Sequence, residues 1–379
     1  MIRSNTSIDF RVDIIRDHIK VGEIHPESCS VNYRESAEVM HTMKMRVYSW
    51  QFQVGSRLER VLTGLIYFNG TRKFDGSWTF SDANGRLIKK PIVYDMFSDR
   101  LRPIVIVDEK EYDYGDFVVI AAPQSSDGVA EYYDIEAYDE TMILKQAATV
   151  RRLYYQAGTS YLSIVGSLVA ECGLSNIVMD KSELAISADR EWKFGTTYLS
   201  IINTLLSEIG YAPIHAGSHG GIYVMRNTSG QTANYYYTDK NSKIIGGIIR
   251  DTDIYSLPNV VVGYVSNPDI ANSLISVRQN DNPDSKISTV RRGYKVVQSK
   301  QLNDCPDQGT LDLVVNNLFL SASQATEFVK LSTLPDGYHD YGGYMSVDVG
   351  GESHLYREVE WDMDFGGKMS HKLERKVIV

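Results

Sequence analysis

The chain has 379 residues, a net charge of −9 at pH 7, and no Lys/Arg run longer than two, a balance that excludes tight sequence-specific binding to a phosphate backbone. No stretch approaches the roughly 18 apolar residues of a membrane helix, and residues 1–10 lack the apolar segment of a signal peptide, so an integral membrane segment is not expected and synthesis in the cytoplasm is. With 43% hydrophobic and 23% charged residues, and 25 Tyr and 29 Gly against four Trp, the composition points to a β-rich globular protein of two to four domains.

Residues 1–145 read as a first β-barrel-type region. Met43, Met45 and Val47 alternate with Lys44, Arg46 and Tyr48, and residues 104–107 form a short apolar run suited to a buried strand. Residues 117–122 and 131–138 flank an Asp127-Gly128 turn, and Asn69-Gly70, Asp75-Gly76 and Asn84-Gly85 are further turn signals. Many short strands with frequent turns predict a barrel or sandwich.

Residues 146–235 read as a small α+β module built around a phrase stated twice. The sixteen residues from Gly158 to Gly173 return as Gly195 to Gly210, offset by 37 and identical at nine positions. Thr159 and Thr196 are suited to cap the two helices, and Gly173 and Gly210 to end them in a left-handed conformation. Leu162, Val165 and Val169, like Leu199, Ile202, Leu206 and Ile209, mark one apolar stripe per helix. Two copies are too few for an open solenoid, so the stripes are expected to pack within the module.

Residues 236–379 read as a second β-barrel-type region. A strand at 260–265 precedes a Ser266-to-Asp269 turn, a helix is predicted over 310–320, and Gly350-Gly351 is a hairpin turn. Beyond it, alternation puts Leu355, Val359, Trp361, Met363 and Phe365 on one face of a strand, and His354, Tyr356, Glu358, Glu360, Asp362 and Asp364 on the other; Arg357 interrupts the apolar side. The resulting class is α+β, mainly β, with two barrel-type regions around a small α/β module and segments that can interleave.

Candidate chemistry is sparse. His215 and His219 are four apart, but on a Gly/Ser-rich loop that spacing has no helical meaning, and a hairpin loop is the expected role. The acidic run from Asp108 to Asp116 lacks the ligand spacing of a helix-loop-helix calcium site and reads as solvated charge. Cys29, Cys172 and Cys305 are odd in number and far apart, without a CxxC pair, and are expected to be reduced and structural. Cys172 falls on the last turn of a predicted helix, where an unreactive core cysteine is expected. Gly217, Gly220 and Gly221 lack the strand-before, helix-after context of a phosphate loop. No catalytic residue, cofactor site or metal site is therefore assigned. Arg291 and Arg292, in a long polar loop, are candidate subunit-interface residues because paired guanidiniums can clamp carboxylates on a neighbour.

Several phrases occur in a suggestive order: Val31-Asn-Tyr-Arg-Glu-Ser-Ala37, Tyr132-Tyr-Asp-Ile-Glu-Ala-Tyr-Asp139, Met142-Ile-Leu-Lys145, the stretch from Trp192 to Asn203, Gly210-Tyr211, the stretch from Val260 to Pro268, and Ser288-Thr-Val-Arg-Arg-Gly293. In this order and spacing the chain resembles the tail-tip or baseplate hub proteins of bacteriophages and prophages. The resemblance implies a homotrimer whose two barrel-type regions per copy form a six-membered ring, joining a sixfold tail tube to a threefold tip around a channel for DNA. It implies a virion location after assembly in the host cytoplasm, a tail tube or distal tail protein above, a spike or fibre below, and no enzyme activity. The alternatives are a tail-associated cell-wall hydrolase, or a host-glycan recognition module using its tyrosines to stack on sugars.

Overall fold

Period-two alternation builds most of the molecule. In the strand His41–Tyr48, His41, Met43, Met45 and Val47 are buried while Lys44 and Arg46 face solvent. In this computed structural model residues 7–49, 51–54, 80–81, 87–88, 92–217, 220–227, 232–237, 244–265, 274–302, 307–322, 324–335, 339, 341–349 and 351–378 are described. The turn signals at 69–70, 75–76, 84–85 and 266–269, together with His219, Cys305 and Gly350, lie outside these residues.

Two hairpins turn without glycine. Asp17 and His18 (φ 46° and 64°) join Ile8–Arg16 to Ile19–Ile24, and Asp108 and Glu109 (φ 48° and 69°) join Asp99–Val107 to Lys110–Asp113. Two consecutive left-handed residues match the right-handed twist of the strands they connect.

These strands enter a 15-stranded sheet, so the fold is α+β and mainly β. Its main path runs Ile19–Ile24, Ile8–Arg16, Asp99–Val107, Phe117–Ala121, Glu131–Asp139, His41–Tyr48, Ser28–Arg34, Glu352–Asp364, Lys368–Ile378, Gln324–Thr333 and Ile249–Thr252. The step from Ser28–Arg34 to Glu352–Asp364 joins the two ends of the chain. Phe117, Met43, Tyr33 and Trp361 share the core on one side of this junction, and Tyr237, Val329, Tyr356 and Leu373 the core on the other.

Glu352–Asp364 is therefore a crossover strand of 13 residues. Residues 352–357 pair with Tyr344–Val349, and residues 360–364 pair with Ser28–Arg34. Its ladder to Lys368–Ile378 slips between Glu358 and Glu360, which is a β-bulge at Val359. The bulge corrects the alternation expected from sequence. Tyr356 and Glu358 are buried together with Trp361 and Met363, while Leu355 and Val359 are half-buried. One extra residue exchanges the two faces, and this is why Arg357 lies outside the core rather than interrupting it.

Among the described residues the helices are α1 (Thr141–Gln146), α2 (Tyr161–Glu171), α3 (Tyr198–Glu208), α4 (Thr289–Arg292) and α5 (Gln308–Ala322). The helix expected at 310–320 falls within α5, whose Leu311 and Val315 pack on Val261 and Val265. None of the described helices is long and apolar enough to cross a membrane.

The doubled phrase forms α2 and α3, and its repeat continues upstream into the strands. Leu153–Tyr155 pairs antiparallel with Arg190–Trp192, bridges link Ala148 to Thr197 and Ser160 to Ala185, and every one of these partners maps onto its counterpart by the same 37-residue offset. The backbone bonds follow suit: Gly158 N–H donates to Ile186 O (2.8 Å), and Gly195 N–H to Thr149 O (2.9 Å). Side chains follow the same map: Tyr161 Oη donates to Glu208 (2.9 Å), burial and the neighbouring Glu171 raise the Tyr198 hydroxyl, and the equivalent rings of Tyr155 and Trp192 meet edge to face at 6.1 Å. The two copies are thus related by a local twofold axis. Ile164, Leu168, Ile201, Leu205 and Leu206 are buried along it in one core.

Helix capping differs by one residue from the expectation. Ser160 and Thr197 are the N-caps, and Thr197 Oγ1 accepts from Ser200 N–H at 3.3 Å. Thr159 and Thr196 instead donate to Gln156 O (2.7 Å) and Lys193 O (2.8 Å), closing the turn before each helix. Gly173 and Gly210 do end the helices with φ of 75° and 71°.

Candidate functional site

The helical module meets the sheet through a glycine-rich hairpin. His215–Ala216 pairs with Ile222–Val224, and Gly217 N–H donates to Gly221 O at 2.9 Å, so the segment is the hairpin its composition predicts. At its tip, Gly220 has φ +67°, and a Cβ there would sit 2.4 Å from Asp116 Oδ2 and 2.8 Å from Arg102 Nη2. Only glycine admits this approach. Asp116 is itself buried and accepts two bonds from Arg102, both 2.7 Å long. This corrects the reading of the acidic run as solvated charge: Asp108 and Glu109 are exposed at a hairpin tip, but Asp116 is an internal ion pair beneath the docked module. The His215 ring lies 4.7 Å from that of Tyr341, with Nδ1 2.8 Å from Pro213 O. Beside it a cavity of about 430 Å³ is lined by Tyr223, Arg226, Tyr341 and Arg357.

Arg291 and Arg292 lie on the four-residue helix α4, capped by Ser288 Oγ, which accepts from Arg291 N–H at 3.2 Å. The structure separates their side chains. Arg292 donates to Leu257 O (2.7 Å) and to Ile254 O, inside its own chain, whereas Arg291 is exposed. Cys172 closes α2 half-buried, and burial, reinforced by the charge of Glu171, pushes its thiol up to about 11. Burial also raises the thiol of Cys29. Neither supplies a thiolate near neutrality.

The densest polar chemistry sits at the bulge of the crossover strand. Glu358 on that strand, His371 on Lys368–Ile378 and His339 on a neighbouring loop are buried, their side chains at most 2% exposed. His339 Nδ1 lies 2.8 Å from Glu358 Oε2, and His371 Nδ1 lies 2.6 Å from Glu358 Oε1. His371 Nε2 is 2.9 Å from Thr333 Oγ1. The His339 ring stacks on Tyr235 with centroids 4.4 Å apart, and its carbonyl accepts from Trp361 Nε1–H at 3.0 Å. Burial pushes the Glu358 carboxyl upward, but the two imidazoles outweigh this and hold it below the ordinary range.

A second buried carboxylate, Glu327, shows how the same fold handles charge with arginine. Burial opposes its ionisation, yet bonds from Tyr356 Oη (2.6 Å), Arg250 (2.8 Å) and Arg375 (2.9 Å) draw it down to about 2. Sequence reasoning missed both carboxylates. Alternation puts Glu358 on the polar face because the bulge is invisible to it, and nothing in the local sequence marks His371 as its partner.

No family model and no curated protein sequence matches the chain. Among solved structures, it is similar to the tail protein from Neisseria meningitidis MC58, with a TM-score of 0.57 and 9% identity over 97% of this chain and 96% of that one. It is similar as well to the 43 kDa tail protein of prophage MuSo2 from Shewanella oneidensis, at 0.60 and 6% over 96% and 98%. A chain of the half-lidded Francisella PdpA-VgrG complex gives 0.53 and 8%, covering 98% of this chain and 58% of that one. At these identities the likeness is one of fold, and that fold is shared end to end with phage and prophage tail proteins.

Proposed function

We propose that the chain is a structural hub of a phage, prophage or phage-derived tail, placed at the tail tip or baseplate and without an active site of its own. The observation that carries this reading is the two-way coverage: nearly the whole chain is superposed on nearly the whole of two tail proteins. In this reading the regions 1–145 and 236–379 are two barrel-type units, tied together by the crossover strand, and the module 146–235 rides on them. Three copies present six such units in a ring that joins a sixfold tube to a threefold tip. A heterologous interface of this kind closes after three copies, and exposed Arg291 is a candidate contributor to it. The net charge of −9 suits a channel through which DNA passes without sticking.

Its partners are then a tail tube or distal tail protein on one side and a spike or fibre on the other, in the virion after assembly in the host cytoplasm. Light scattering of the concentrated chain after size exclusion is expected to report self-association toward a trimer, and a strictly monomeric protein at every concentration would count against the hub. Purified protein is expected to leave a turbid cell-wall suspension unchanged; clearing would establish the hydrolase instead. The tyrosine- and arginine-lined cavity beside His215 favours host-glycan recognition as the second reading. Saturable glycan-array binding by the monomer would select it.

A further inference from the structure

We propose that His339, Glu358 and His371 form a binding site for one divalent transition-metal ion that staples the crossover strand. The donor set is the first argument. Two imidazoles and a carboxylate suit zinc, iron, cobalt or nickel, and disfavour calcium and magnesium, which take oxygen ligands. The ligand atoms already converge, all lying within 4.8 Å of one another. Nδ1-to-oxygen separations of 2.6 and 2.8 Å subtend roughly 76° and 84° at an ion about 2.1 Å from each atom. Such angles fit five- or six-coordination, with the carboxylate binding through both oxygens.

Charge is the second argument, and the two buried glutamates make it by contrast. Glu327 has two guanidiniums, whereas the ion-pair partners of Glu358 among the described residues are the two histidines. A carboxylate in so dry a place needs a positive partner, because an uncompensated buried charge costs several kcal/mol. A divalent cation held by two neutral imidazoles supplies it.

The third argument is the outer support. Thr333 Oγ1 on His371 Nε2 fixes that ring with Nδ1 toward the carboxylate, and Tyr235 and Trp361 hold His339 by its ring and its carbonyl. Metal-binding histidines characteristically have the other ring nitrogen engaged, as Thr333 engages that of His371. The site also links three separate pieces of chain at the bulge, where the ladder is weakest.

The test uses the full-length chain purified without chelator. Elemental analysis is expected to find about one zinc-class ion per chain. Chelation should lower the melting temperature, and zinc chloride should restore it with one-to-one stoichiometry in calorimetry. Cobalt chloride should give visible d–d absorption, which His371→Ala abolishes and which His25→Ala, at an exposed histidine, retains. Thr333→Val should keep the fold while weakening zinc binding about 10–100-fold. If the unmodified chain carries no stoichiometric metal and neither chelator nor zinc moves its melting temperature, the proposal is wrong, and the cluster is a hydrogen-bonded network holding a proton.

Discussion

The helical module and the crossover strand both bring distant parts of the chain together, and they do so by opposite means. In the module, one phrase written twice meets itself across a twofold axis, so each contact is made in duplicate and each copy supplies what the other lacks. At the crossover nothing is repeated. A single extra residue at Val359 turns Glu358 inward, and unlike groups from three segments must meet around it. Symmetric contacts need only local pattern, whereas the crossover depends on one register shift and on residues 13 and 19 positions from Glu358.

Removing the shared stripe of the module should have the largest effect. Leu206 is completely buried, and Leu206→Asp would place an unpaired carboxylate among Ile202, Leu205 and Ile164; a loss of more than about 4 kcal/mol and of soluble yield is expected. A soluble, cooperatively melting variant would break the account of the stripes.

At the sheet, Glu327→Gln should cost about 2–3 kcal/mol in urea titrations near neutral pH, by weakening bonds to two arginines that keep part of their hydration. The sign of its pH dependence follows from its depressed value. Ionised Glu327 stabilises the fold fully above the ordinary glutamate value of about 4.3, and this contribution is lost as pH falls from there toward about 2. The wild type should therefore lose more stability than Glu327→Gln across that window, and parallel pH profiles would contradict the assignment.

The smallest effect sharpens the comparison most. Tyr161→Phe and Tyr198→Phe remove equivalent hydroxyls, one bonded to Glu208 and the other beside Glu171, and each should cost about 1 kcal/mol in thermal melts. Losses that differ severalfold would mean that the twofold relation is one of backbone shape, without matching energetics.

The contrast also explains what could be read beforehand. Helix spacing, the terminal glycines and the repeated phrase carried α2 and α3 in the sequence itself, because these are local signals. The caps moved by one residue because Thr-Ser and Thr-Thr offer two adjacent hydroxyls, and only chain geometry decides which serves the helix. Asp116 reads as one more charge in an acidic run until Arg102, fourteen residues away, is seen beside it. Glu358 reads as solvent-facing until the bulge is known. His339 gave no signal at all, since its role arises from a loop brought to the crossover by the fold. The resemblance to tail proteins was legible from the order of phrases spread along the chain, and the fold comparison agrees with it.

The hub assignment is tested most directly by electron microscopy of intact tails containing the chain. The account predicts three copies closed in a ring at the tip or baseplate, each contributing two barrel-type units around an open channel. A single copy, a position along the shaft, or a ring whose centre is filled by this chain would contradict it.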